Sequence, residues 1–231
     1  EFDLLPTWRP SGFEYIFENP DSSDINFRIA EFDEAYFSFY RDNAQLIGTS
    51  AIKNAIREFA AEMDSSDGFI HTYKSYSLAE MKLSAGFPKN ELYTTYLKDE
   101  YLHWENPAYR IFFEKFYGDY FDQYDIRFGG ESLVNRLRKG LTYQELDSLL
   151  LEDDFLQRED LRQWVILKSI NENLYGKKYP IASLLSLLEE LDQLAANEKL
   201  KHSISEVRER YRKTSENILL SELPLIHLPY S

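Results

Sequence analysis

Between Asn106 and Asp125 the chain carries Tyr109, Phe112, Phe113, Phe116, Tyr117, Tyr120, Phe121 and Tyr124 at helical spacing. Advancing 100° per residue, these rings cover an arc of about 180°, wider than the roughly 100° stripe that an ordinary surface helix turns toward a core. Arg110 and Gln123 interrupt the arc. A helix so broadly apolar needs partners on two sides, which commits the chain to a multi-helix packing. In the simplest reading the rings are core, with Tyr hydroxyls at the wetter margins. In the alternative, part of the face joins Tyr93, Tyr96, Tyr101 and Trp104 to line a groove for a peptide or sugar. The candidate binding surface is then Tyr93, Tyr96, Tyr101, Trp104, Tyr109, Tyr117, Tyr120 and Tyr124, and it requires several of these rings to be exposed together.

Other segments carry helical signals. Asn106 followed by Pro107 is a helix start, because Asn caps free amides and Pro loses nothing at the first helical position. Ile52, Ala55, Ile56, Phe59 and Met63 share one face of a helix that ends before Asp64-Ser65-Ser66-Asp67-Gly68, which reads as a turn. Thr142-x-x-Glu145 and Ser203-x-x-Glu206 have the capping-box pattern. Ile181, Leu184, Leu185, Leu188, Leu191 and Ala195 form an apolar stripe after Pro180. The last helix is expected from about Leu200 to Glu222, with Glu206 to Arg210 and Glu209 to Lys213 as i, i+4 pairs on its wet side.

The expected fold is all-α, with about eight to ten helices and a short extended or β N-terminal segment. Phe13-Glu14-Tyr15-Ile16-Phe17 and Ile25-Asn26-Phe27-Arg28-Ile29 are rich in β-formers, among Pro6, Pro10, Gly12 and Pro20, so 1–30 reads as an extended arm. The helical domain spans 31–222, and 223–231, with Pro224 and Pro229, is a tail or linker. Composition shifts inside the domain: residues 1–128 hold 29 of the 36 aromatics and 8 Leu, against 7 aromatics and 23 Leu in 129–231. Gly129-Gly130 marks either a boundary between subregions 31–128 and 129–222 or a turn within one domain.

The chain has 40 acidic against 26 basic residues, a net charge of −14. Phosphate contacts need clustered Lys and Arg, so neither nucleic acid nor an anionic membrane is an expected partner. No apolar run approaches 18 residues, which argues against a transmembrane segment. The chain starts at Glu1 without a basic, apolar leader, as a mature protein or an excised fragment would.

The sequence gives no positive sign of catalysis. There is no Cys, hence no thiol nucleophile, disulfide or thiolate metal site. His71, His103, His202 and His227 form no zinc-type pattern, and His103-Trp104-Glu105-Asn106 reads as a turn before a helix cap. Asp119, Asp122 and Asp125 lie three apart on the polar side of the aromatic helix and read as a solvated acidic face. A calcium loop phased on Gly68 would place Met63 at its first ligand position, so no metal is expected there either. Hydrolase and nucleotide-cradle motifs are missing, and no cofactor is expected.

Asn106-Pro-Ala-Tyr-Arg-Ile-Phe-Phe-Glu-Lys-Phe-Tyr117 and Asp154-Phe-Leu-Gln-Arg-Glu-Asp-Leu-Arg-Gln-Trp-Val-Ile-Leu-Lys-Ser-Ile170, followed by the Leu-rich helix and a polar helix ending Glu216-Asn-Ile-Leu219, carry a resemblance. Over roughly Asp24 to Glu222 the chain resembles the helical region upstream of the thioredoxin domain in bacterial envelope thiol–disulfide oxidoreductases. Redox chemistry in that family belongs to a CxxC motif in the following domain, so no catalytic residue carries over to this chain. The resemblance implies an exported, envelope-located protein, periplasmic or surface-exposed, with a thioredoxin-like domain expected downstream unless this is a relative without one. The function expected first is a non-catalytic accessory or recognition domain that binds a protein or peptide partner. A free-standing glycan- or peptide-binding module using Trp8, Trp104 or Tyr rings is the alternative, and a two-carboxylate hydrolase the second.

Overall fold

The computed structural model describes residues 24–62, 68–128 and 130–221. The first β-rich run, Trp8, the Asp64 to Asp67 turn, His227 and the 223–231 tail lie outside them. Among the described residues there are eleven α-helices, two 3-10 turns and no strand, so the fold is all-α.

The first helix overturns an expectation. Ile25-Asn26-Phe27-Arg28-Ile29 is not extended; it is the opening of α1 (Ile25–Asp42). The Asp24 carboxylate accepts from the backbone N–H groups of Asn26 and Phe27, satisfying amides that a helix start leaves free. Phe32 and Phe39, seven apart, then bury themselves on one face. Helical packing over several turns outweighs the β preference of a few residues. α2 (Ala51–Ala61) buries Ile52 and Ile56 as its periodicity requires. α3 (Phe69–Ser84) starts at Gly68, whose φ of 72° lies in the left-handed region. α4 (Lys89–Tyr96) follows, and α5 (Pro107–Phe116) begins as expected, with Asn106 accepting from the Ala108 amide.

The aromatic run is two helices. α5 ends at Phe116 and α6 (Tyr120–Phe128) begins after a turn at Tyr117-Gly118-Asp119. Asp119 takes a φ of 50°, tolerated by Asp, and Gly118 lowers helix propensity where the chain turns. The rings therefore do not form one face. They are divided between the two helices, and Tyr109, Phe112, Phe113, Phe116, Tyr117, Tyr120 and Phe121 are at most 2% exposed.

α7 (Leu133–Arg138) is capped by Ser132, and α8 (Tyr143–Leu150) has the reciprocal Thr142–Glu145 capping box. α9 (Glu159–Asn173) is buried on nearly every side, from Leu161 through Ile170, and packs against α6, α8, α10 (Ile181–Leu194) and α11 (Glu198–Ser221). α11 starts two residues earlier than its periodicity suggested. Asn197 accepts from the Leu200 amide, so the Ser203–Glu206 pattern sits inside the helix and caps nothing. Glu209 does meet Lys213, at 3.4 Å.

One core links the aromatic and Leu-rich halves. Trp104 stacks on Trp164 with ring centres 4.1 Å apart, and Tyr93 and Phe116 both meet Phe155. The Tyr117 hydroxyl donates to the Phe155 carbonyl at 2.8 Å.

Candidate functional site

A cleft of about 760 Å³ lies between α1, α3 and α5. Its walls follow from helical spacing. Tyr73, Ser77 and Glu80 come from one face of α3 at i, i+4 and i+7; Pro107, Ala108 and Ile111 come from the first turns of α5; Asp33, Glu34, Tyr36 and Phe37 come from two adjoining turns of α1. Phe37 is 61% and Ile111 49% exposed, so both hold apolar surface in water at the cleft.

Two hydroxyl–carboxylate bonds cross from helix to helix. Tyr36 donates to Glu80 Oε2 at 2.6 Å, and Tyr73 donates to Asp33 Oδ1 at 2.9 Å. The two acids differ. Burial by itself would raise Glu80, but bonds from Lys115, Tyr36 and Ser84 outweigh it and hold its carboxyl below the ordinary value. Burial raises Asp33, and the single bond from Tyr73 only partly offsets it. Tyr36 and Tyr73 are pushed upward by burial and by the adjacent carboxylates, so both remain donors. Among the described residues no Lys, Arg or His lines this cleft, and those that do are apolar, aromatic or acidic apart from Ser77.

The eight aromatics proposed from sequence do not make a surface. Tyr93, Tyr96, Tyr109, Tyr117, Tyr120 and Tyr124 are buried in the core: α5 and α6 are covered on several sides, and on α4 Tyr93 packs on Phe155 and Tyr96 on Tyr76 and Phe112. Tyr101 is exposed and meets His103 edge-on, and Trp104 is half-buried between Tyr109, Phe113 and Trp164. The acidic row is also divided. Asp122 accepts from Lys178 at 2.6 Å and Tyr179 at 2.9 Å, and Asp125 accepts from the Leu133 amide at 2.8 Å, so both have structural partners. Among the described residues no three His, Asp or Glu side chains are placed to hold a metal ion. None of the described helices is long and apolar enough to cross a membrane.

Asp33, Tyr36, Tyr73 and Glu80 were not singled out by sequence reasoning. The only sequence signal was the Tyr73, Ser77, Glu80 spacing, which marks a helix face without saying what faces it. No family model matches the chain, and neither does any curated protein or solved structure.

Proposed function

We propose that this chain is a non-catalytic helical recognition domain that takes a basic, partly apolar peptide segment of a protein partner in the α1–α3–α5 cleft. One observation carries the reading: exposed Phe37 and Ile111 stand at a large cleft whose charged lining groups, among the described residues, are carboxylates, with Glu80 already paired with Lys115 and Asp33 and Glu34 left for a cation. An apolar side chain covers Phe37 and Ile111, and a Lys or Arg beside it meets Asp33 and Glu34. The net charge of −14 favours encounter with a cationic partner. The resemblance to the region upstream of envelope thioredoxin-like domains supports the same role and an exported location, with redox chemistry left to a following domain.

A random peptide display selection on the chain tests this. Enriched peptides should combine Lys or Arg with large apolar residues and lose at least about tenfold in affinity for the Phe37→Ser, Ile111→Ser double variant. Enrichment of acidic peptides, or unchanged binding to the double variant, contradicts it.

A second reading, a two-carboxylate hydrolase, is favoured by the unequal acids in the same cleft, Asp33 raised and Glu80 lowered. Against it, both Glu80 oxygens already accept bonds, from Tyr36 on one side and from Ser84 and Lys115 on the other. Hydrolysis of glycoside or peptide substrates that disappears in both Asp33→Asn and Glu80→Gln would replace the recognition reading with this one.

A further inference from the structure

The α1–α3–α5 cleft sets three aromatic rings, Tyr36, Phe37 and Tyr73, among carboxylates. The rings of Tyr36 and Phe37 stand perpendicular, with centres 5.8 Å apart. Phe37 lies one turn beyond both Asp33 and Glu34 on α1, so a ring and two acids share one helix face. A cation brought there meets π faces and negative charge together.

Hydrogen bonds decide which cation fits. A primary ammonium brings three N–H donors and a guanidinium five, and each needs an acceptor once it leaves water. The cleft spends its more buried acceptors on itself. Glu80 accepts from Tyr36 at Oε2 and from Ser84 and Lys115 at Oε1, and Asp33 Oδ1 accepts from Tyr73. Negative charge is therefore in better supply beside the rings than free acceptors are. The same bonds enrich the rings: Tyr36 and Tyr73 each donate to a carboxylate, which polarises the phenol and leaves its face more attractive to a cation. A quaternary ammonium keeps the attraction to rings and acids, has no N–H to satisfy, and presents methyl groups that exposed Phe37 and Ile111 cover.

We infer that the cation this cleft selects is an N-trimethylated lysine of the partner segment, its quaternary ammonium against Tyr36, Phe37 and Tyr73 and beside Asp33. This selectivity rests on the cleft being a peptide site and adds which residue it prefers.

Calorimetric titration of the intact chain tests it, using blocked pentapeptides Ala-Leu-X-Leu-Ala with X as trimethyllysine, Lys, Arg or the uncharged tert-butyl isostere of trimethyllysine. The trimethyllysine peptide should bind saturably and at least about fivefold more tightly than each of the others. Phe37→Leu, at an exposed position, keeps apolar bulk and removes a π face, and should cut that advantage to about twofold or less while the Lys peptide changes little. Equal or tighter binding of the Lys, Arg or tert-butyl peptide, an advantage that survives Phe37→Leu, or no saturable binding of the trimethyllysine peptide overturns the inference. Choline or phosphatidylcholine vesicles bound more tightly than that peptide would assign the site to a lipid headgroup and overturn it too. Binding of the Lys peptide without a trimethyl preference leaves the peptide-site reading standing; that reading fails separately, when display-selected basic peptides bind the Phe37→Ser, Ile111→Ser variant unchanged.

Discussion

Tyr36 on α1 donates its hydroxyl proton to Glu80 on α3 at 2.6 Å, and Lys115 from α5 meets the same carboxylate, so one acid joins the three helices that form the large cleft. Glu80 is 8% exposed. An acid so placed is stabilising only while each of its donors remains, because a buried carboxylate short of a donor bears an uncompensated desolvation cost. Tyr36→Phe is expected to cost about 1.5–3 kcal/mol in chemical denaturation, the range for hydrogen bonds to charged groups. A cost under about 0.5 kcal/mol would show that Tyr36 contributes nothing through this bond.

The lowered Glu80 carboxyl sets a sign for acid stability. Its folded value lies below the ordinary 4.5, so its stabilising contribution is complete above 4.5 and is lost as pH falls through the folded value. Raised Asp33 acts oppositely, gaining its proton more readily in the folded state and opposing the loss. Stability measured from pH 6 down to 2.5 should fall less steeply below 4.5 in Glu80→Gln, and more steeply in Asp33→Asn, than in wild type.

Asp33 also predicts the pH dependence of partner binding. A cationic peptide favours the ionised carboxylate, so protons compete with it. Because burial raises Asp33 above its ordinary 3.8, affinity for a Lys- or Arg-bearing peptide should begin to weaken above that pH, and Asp33→Asn should remove this part of the dependence. Affinity that rises with acidification would contradict the role given to Asp33.

Away from the cleft, Arg162 holds the second half together. Its guanidinium donates to both oxygens of Asp147, at 2.8 and 3.1 Å, and to the Leu156 and Gln157 carbonyls at 2.9 Å each. Asp147→Ala leaves a buried guanidinium without its counter-ion and is expected to cost about 3–5 kcal/mol, or roughly 2–4 °C of Tm for each kcal/mol in a domain of this size. Replacing both residues by apolar ones of similar volume should cost less than Asp147→Ala alone.

Tyr120 and Asp153 form a buried hydroxyl–carboxylate pair, with the hydroxyl donating to Oδ2 at 2.7 Å while Oδ1 accepts from the Phe155 amide. Tyr120→Phe and Asp153→Asn should therefore be non-additive, with a coupling of about 0.5–3 kcal/mol in a double-mutant cycle.

Local signals were legible where local chemistry decides. Asn106 and Thr142 cap because they solve the free-amide problem within three residues, wherever the rest of the chain goes. The Gly118-Asp119 break was hidden because aromatic spacing continues through it into Tyr120 and Tyr124. Periodicity cannot distinguish one long helix from two that keep nearly the same phase. The run at Ile25 misled for the converse reason: its β-formers were read without the Asp24 cap. The cleft was illegible because its bonds join residues 40 and 44 positions apart, Tyr73 to Asp33 and Tyr36 to Glu80. Nothing in either segment alone marks the other as its neighbour.

The most direct test of the recognition reading is amide hydrogen exchange of the chain with and without a display-selected basic peptide. Binding in the α1–α3–α5 cleft predicts slowed exchange in Ala30–Phe37 of α1, Tyr73–Glu80 of α3 and the start of α5 through Ile111, with α8 and α10 unchanged. Slowing confined to other helices, or none at saturating peptide, would contradict it.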